Sequence, residues 1–178
     1  MALNVDEVFD PSYLADLGDL SLNDLRAKRQ VCAELETDLS YLRRLAQARV
    51  DLILAELERR HLGLSEPAPE ALVDQLPQIL SDHTHAAGLG RLPTFFAPAE
   101  GTQLSMAARV EQLLPPDKLE SLATLGSAEL DELLTGLSNL ERDVSAERRA
   151  LHDIQDRLQV ELVRRYRSGE ASVDTLLR

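Results

Sequence analysis

Apolar residues recur at three- and four-residue steps over two long stretches of the chain. In the first, Cys32, Leu35, Leu39, Leu42, Ala46, Val50, Ile53 and Leu57 form one stripe. In the second, Leu130, Leu133, Leu137, Leu140, Val144, Leu151, Leu158 and Leu162 do the same. That spacing aligns side chains along one face of an α-helix and makes a seam that seeks another helix. Runs of β-branched and aromatic residues, the mark of strands, are missing.

The boundaries of both helices are legible. "SLND" at Ser21 resembles a capping box with Asp24 in the place usual for Glu or Gln. No Gly or Pro follows until "ERRHLG", where basic residues and then Gly63 signal a stop near His61. The second helix is expected from Gly126–Ser127 to about Arg167, with Gly136 as its weak point. Some forty residues make a helix about 60 Å long. Seven of the eight prolines fall between the two helices, so that stretch reads as a connector with short helices at Glu70–Leu80, Met106–Leu114 and Asp117–Leu122. Ahead of the first helix, Pro11 is expected to open a short helix, "PSYLADL", that stops at Gly18. The expected fold is all-α. It is a long antiparallel two-helix coiled coil in a single helical domain. Residues 1–20 form an N-terminal segment, 21–61 and 126–168 the helices, 62–125 a partly ordered connector of helix and loop, and 169–178 a tail.

A second regularity lies in the polar residues. Shifted by 105 positions, the helices align: Leu20 with Leu125, Leu25 with Leu130, Leu35 with Leu140, Glu36 with Glu141, Asp38 with Asp143, Ser40 with Ser145, Arg43–Arg44 with Arg148–Arg149, Asp51 with Asp156, and Arg59–Arg60 with Arg164–Arg165. Leucine matches come easily to two heptad helices, but a solvent-facing surface does not dictate which polar residue it carries. At about 100° per residue, Glu36, Ser40, Arg43, Gln47 and Asp51 fall in a strip roughly 80° wide beside the seam. Glu141, Ser145, Arg148, His152 and Asp156 do likewise. Glu36, Arg43 and Asp51 have no opposite charge three or four residues away, nor do Glu141, Arg148 and Asp156. Their partners are therefore solvent, the other helix or a ligand.

In an antiparallel pair the two strips become neighbours about a pseudo-twofold axis. The connector permits either orientation, and the antiparallel one needs no long crossing. An Arg flanked by carboxylates suits a guanine base, donating to O6 and N7 while the carboxylates accept from N1 and N2. Two such sets suit a twofold-symmetric ligand or two copies of one. The alternative is a duplicated helix whose polar residues only lace a ligand-free structural or adaptor coiled coil.

Charge and composition narrow the classes. The formal net charge is −12, which speaks against direct nucleic-acid binding or an anionic membrane surface and for a protein partner with a basic face. The lone Cys32 sits in the seam, reads as core, and fits a reducing compartment. The start "MALNVDEVFDPSYL" lacks a basic segment followed by an apolar one, and no apolar run is long enough for a bilayer, so a cytoplasmic location is expected. His83 and His85 lack further ligands at metal-binding spacing and read as polar loop; no metal is expected. No nucleophile–His–acid set or Gly-rich phosphate loop is visible, so catalysis is not expected.

The spacing Glu-x3-Ser-x2-Arg-x3-Gln-x3-Asp, written once on each helix, resembles the cyclic di-GMP-binding signature of the RsiG anti-sigma factor family of sporulating actinomycetes. Glu36, Ser40, Arg43, Gln47 and Asp51 fit all five positions. Glu141, Ser145, Arg148 and Asp156 fit four, and His152 stands where the first copy has Gln. Imidazole still donates or accepts a hydrogen bond there. The resemblance implies that these ten residues bind two molecules of cyclic di-GMP. It also implies that the loaded protein holds a sporulation sigma factor of the WhiG type in an inactive heterodimer.

Overall fold

The computed structural model describes residues 5–64 and 100–169. The expected helix at Glu70–Leu80 and the His83–His85 pair lie outside them. Five α-helices are present among the described residues: α1 (Val5–Phe9), α2 (Leu22–His61), α3 (Glu100–Glu111), α4 (Pro116–Glu120) and α5 (Ser127–Ser168). Turns of 3-10 helix cover Pro11–Leu14 and Leu122–Thr124. There is no strand among the described residues.

α2 and α5 form the body. Each end of α2 is fixed as its sequence signals. Ser21 Oγ accepts from the Asp24 amide at 3.1 Å and donates to Asp24 Oδ2 at 2.6 Å, closing the cap with the shorter acid. At the other end Gly63 takes a left-handed φ of 62°, and the Leu64 amide reaches back to the Arg59 carbonyl at 3.1 Å. α5 ends likewise on Gly169, φ 77°. Bonds join Arg43 to Glu141 and Arg148 to Glu36, and Arg60 to Leu125 and Arg165 to Leu20. Ascending residues on one helix thus meet descending residues on the other, so α2 and α5 run antiparallel.

The seam buries one residue per heptad on both helices: Leu25, Cys32, Leu39, Ala46 and Ile53 on α2, Leu130, Leu137, Val144, Leu151 and Leu158 on α5. α2 buries a second row, Leu35 and Leu42. α3 packs on that flank of α2 and contributes Met106 and Val110, with Leu114 just beyond it, to the same core. It also reaches α5, where Arg109 Nη2 lies 3.6 Å from Glu147 Oε1. α3 starts and ends earlier than the expected Met106–Leu114; α4 spans Pro116–Glu120 rather than Asp117–Leu122, and the chain then tightens into 3-10 turn.

At the N-terminal end the expected helix from Pro11 is a single 3-10 turn, capped by Asp10, whose Oδ1 accepts from the Ser12 amide at 2.8 Å. α1, not anticipated from sequence, precedes it and buries Val8. Tyr13 packs on α2: its hydroxyl donates to the Lys28 carbonyl at 3.2 Å, while Lys28 Nζ sits 3.8 Å above its ring. Cys32 is buried beside it. Burial pushes the Cys32 thiol up, away from the reactive thiolate, as a seam residue should be.

Candidate functional site

The two polar strips meet across the α2–α5 seam. Glu36 Oε1 accepts from Ser40 Oγ one turn along its own helix at 2.8 Å and from Arg148 Nη2 of α5 at 2.6 Å. His152 Nε2 stands 3.7 Å from the same oxygen. The second set repeats the first with the helices exchanged. Glu141 Oε1 accepts from Ser145 Oγ at 3.0 Å, from Arg43 Nε of α2 at 2.8 Å and from Gln47 Nε2 at 3.2 Å. Eight of the ten strip residues thus form two sets of four, related by the expected pseudo-twofold. Asp51, half-buried, and Asp156, exposed, stand one turn beyond Gln47 and His152. Four of the six charges without local partners, Glu36, Arg43, Glu141 and Arg148, find them on the opposite helix.

Electrostatics follow from these bonds. Burial pushes the Glu36 carboxyl up, but the bonds from Arg148 and Ser40 outweigh it and hold the group below its ordinary value. For Glu141 the Arg43 bond is the largest effect, and it too lies low. Both glutamates are ionised at neutral pH. Every bond just described ends on Oε1, so the second oxygen of each carboxylate receives none of them. Each arginine commits one nitrogen to its glutamate, Nε in Arg43 and Nη2 in Arg148. The pairs are only part-buried, with side chains 22–38% exposed, and an incoming planar group can reach them.

α3 lies on the other flank of the seam. At about 100° per residue, Asp38 on α2 and Gly136 and Glu147 on α5 sit opposite the strips, and the two α5 positions meet the α3 segment: Arg109 meets Glu147, and Leu113 Cδ2 lies 3.5 Å from the point a Cβ on Gly136 would occupy. The strips therefore share the face of the coil that α3 leaves alone. A shallow groove of about 550 Å³ on α5, lined by Gln159, Val160, Val163, Arg164, Arg167 and Ser168, includes no strip residue. Its walls come from one helix, so it offers no second surface to enclose a ligand. No group of three or more His, Cys, Asp or Glu among the described residues suits a metal ion. No described helix is long and apolar enough to cross a membrane.

Sequence reasoning missed a second symmetric feature. Arg60 donates to the carbonyls of Leu125, Leu122 and Ala123 at 2.8, 3.1 and 3.1 Å, just ahead of α5. Arg165 donates to those of Leu20, Leu17 and Gly18 at 2.5, 2.7 and 3.1 Å, just ahead of α2. Glu56 and Glu161 hold the two guanidiniums in place from one turn away, at 2.5 and 2.7 Å. Arg165 is buried and Arg60 half-buried. These residues read as ordinary basic residues of a helix C-terminus. The missed signal was the heptad step itself: seven residues past Ile53 falls Arg60, and seven past Leu158 falls Arg165. Each takes the seam position where the partner helix has not yet begun and only bare carbonyls are available.

No curated protein matches the chain. A family model described as RsiG-like matches residues 11–80 and 116–178. These two segments contain both long helices, both strips and both arginine clamps, and leave out α3. With most of its length matched, the chain belongs to the RsiG-like family, whose members are anti-sigma factors, regulatory rather than enzymatic proteins that take a sigma factor as partner.

Proposed function

We propose that this chain binds two molecules of cyclic di-GMP on the paired strips and, so loaded, sequesters a sporulation sigma factor of the WhiG type, silencing its late-development genes. The observation that carries the reading is the pair of Glu–Ser–Arg sets on one face of the coil, each with an unused carboxylate oxygen and uncommitted guanidinium N–H groups. A guanine offers N1–H and N2–H to such a carboxylate and O6 and N7 to such an arginine. Asp51 and Asp156 extend each strip with a further acceptor. Two half-sites related by a twofold match two copies of a ligand that is itself twofold-symmetric.

The ligand promotes sequestration only if it binds the complex better than the separate proteins, most simply by touching both. Titration calorimetry with cyclic di-GMP tests the first step. The wild-type chain binds, and Arg43→Ala lowers affinity at least about tenfold, the order expected for one charge-assisted contact, with helical circular dichroism unchanged. Capture of a WhiG-type sigma factor with and without the dinucleotide tests the second. In the competing reading the Arg–Glu pairs only lace the coil. Equal capture in both conditions, with no heat of binding, decides for it.

A further inference from the structure

The strip is rich in acid. Glu36, Asp51, Glu141 and Asp156 face two guanidiniums, Arg43 and Arg148, leaving a formal −2 on the ten residues with His152 neutral. The two arginines are also each bonded to a glutamate across the seam. A cyclic dinucleotide brings two phosphodiester charges, and two copies bring four. Anions held against a part-desolvated acidic surface repel it strongly at short range, so the base-reading set cannot also neutralise the phosphates.

Arg44 and Arg149 follow the strip arginines directly and match under the 105-residue shift. Both are exposed. At about 100° per residue they lie on the outer rim of the strip, the same way out on each helix. Neither makes a hydrogen bond or ion pair among the described residues. Around Arg44, the positions three and four residues away are Ser40, Tyr41, Gln47 and Ala48, none of them acidic. A guanidinium without a partner, repeated on both helices beside a base-reading set, is the group that meets a phosphate with paired N–H donors. We propose that Arg44 and Arg149 form a phosphodiester-binding rim around the strips, one arginine per half-site. This rests on the dinucleotide reading above and adds residues outside the five-position pattern.

The two rim positions are not equal. Asp153 stands four residues after Arg149, where α2 has Ala48 after Arg44. At that spacing on a helix the carboxylate competes with an incoming phosphate for the same guanidinium. Arg44 therefore contributes more than Arg149, and removal of Asp153 improves its half-site.

Calorimetric titration of the chain alone with cyclic di-GMP, at low and high salt, tests this. Arg44→Ala weakens binding about tenfold and Arg149→Ala less, each with a shallower dependence on salt, because one screened charge pair is gone. Asp153→Ala tightens binding about two- to threefold. A gain of that kind is not a symptom of misfolding, so the prediction survives any damage done by the arginine variants. Wild-type binding with unchanged affinity in Arg44→Ala and Asp153→Ala overturns the rim while leaving the dinucleotide site standing. Normal dinucleotide binding with lost sigma-factor capture in Arg44→Ala also overturns it, reassigning the arginine to the protein partner. No binding by the wild-type chain removes both readings together.

Discussion

Replacing Asp38 with Asn should make the protein more stable near neutral pH. Asp38 is only 5% exposed, on the flank of α2 that faces away from the strips. No hydrogen bond among the described residues ends on it. Burial drives its carboxyl up, Glu34 one turn away adds to the effect, and the group reaches about 6 from an ordinary 3.8. Glu147 of α5 lies on the same side of the helix pair and is paired with Arg109 of α3 at 3.6 Å. The folded state therefore holds this proton more tightly than the unfolded chain. The resulting cost is absent below the unfolded value, grows as pH rises towards the folded one, and is constant above it. A gap of roughly two pH units at about 1.4 kcal/mol each gives about 2–3 kcal/mol. Urea unfolding followed by helical circular dichroism should show Asp38→Asn more stable by that amount near neutral pH, with the gain vanishing below the ordinary carboxylate range. The repeat supplies the control. Asp143, its counterpart, is exposed, and Asp143→Asn should change nothing beyond about 0.5 kcal/mol at either pH. A gain that persists in acid, or equal effects at Asp38 and Asp143, would refute the argument from burial.

Arg60→Ala and Arg165→Ala should each cost about 2–4 kcal/mol in the same urea assay, since each leaves three carbonyls without their charged donor. The more buried Arg165 should cost more, and negligible losses would show that solvent replaces the clamp. Gly136→Ala should stabilise by about 1 kcal/mol: the residue lies inside α5, and the added Cβ would meet Leu113 Cδ2 at an ordinary 3.5 Å. A lower thermal midpoint in Gly136→Ala would mean that α3 packs closer than this contact implies.

The long helices were legible because every signal for them is local. Seam spacing, the Ser21 cap and the glycines after His61 and Ser168 act within one or two turns, and the ends fall within a residue or so of expectation. The strips were legible for a different reason, a repetition that packing alone does not require. Sequence placed Glu36, Arg43, Glu141 and Arg148 beside the seam and left their partners open. The partners are on the other helix, and which nitrogen meets which oxygen depends on a register that no local pattern fixes. α1 was missed because five residues carry no periodicity to read. The clamps were missed because Arg60 and Arg165 satisfy a local rule, basic residues at a helix end, that hides their position in the heptad.

The coil is thus a twofold object with three departures from symmetry, and they differ in kind. α3 lies between the two segments that match the family and packs on one flank of the pair, and Asp38 is a buried acid while Asp143 stays in solvent. That departure alters stability and leaves the strips untouched, because it acts on the opposite face. His152 in place of Gln47, and Asp153 in place of Ala48, are differences of α5 alone, and His152 belongs to the set built on Glu36 and Arg148. His152 can carry a charge that Gln47 cannot, and Asp153 offers Arg149 a competitor that Arg44 lacks. A ligand with two equal halves would meet unequal hosts, so two copies should bind with distinguishable strengths, the half-site holding Arg44 filling first. Calorimetry of the wild-type chain should resolve two steps, and Asp153→Ala should draw them together. A single sharp isotherm in both proteins would mean that the two copies bind as one unit and that differences between the half-sites are averaged across it.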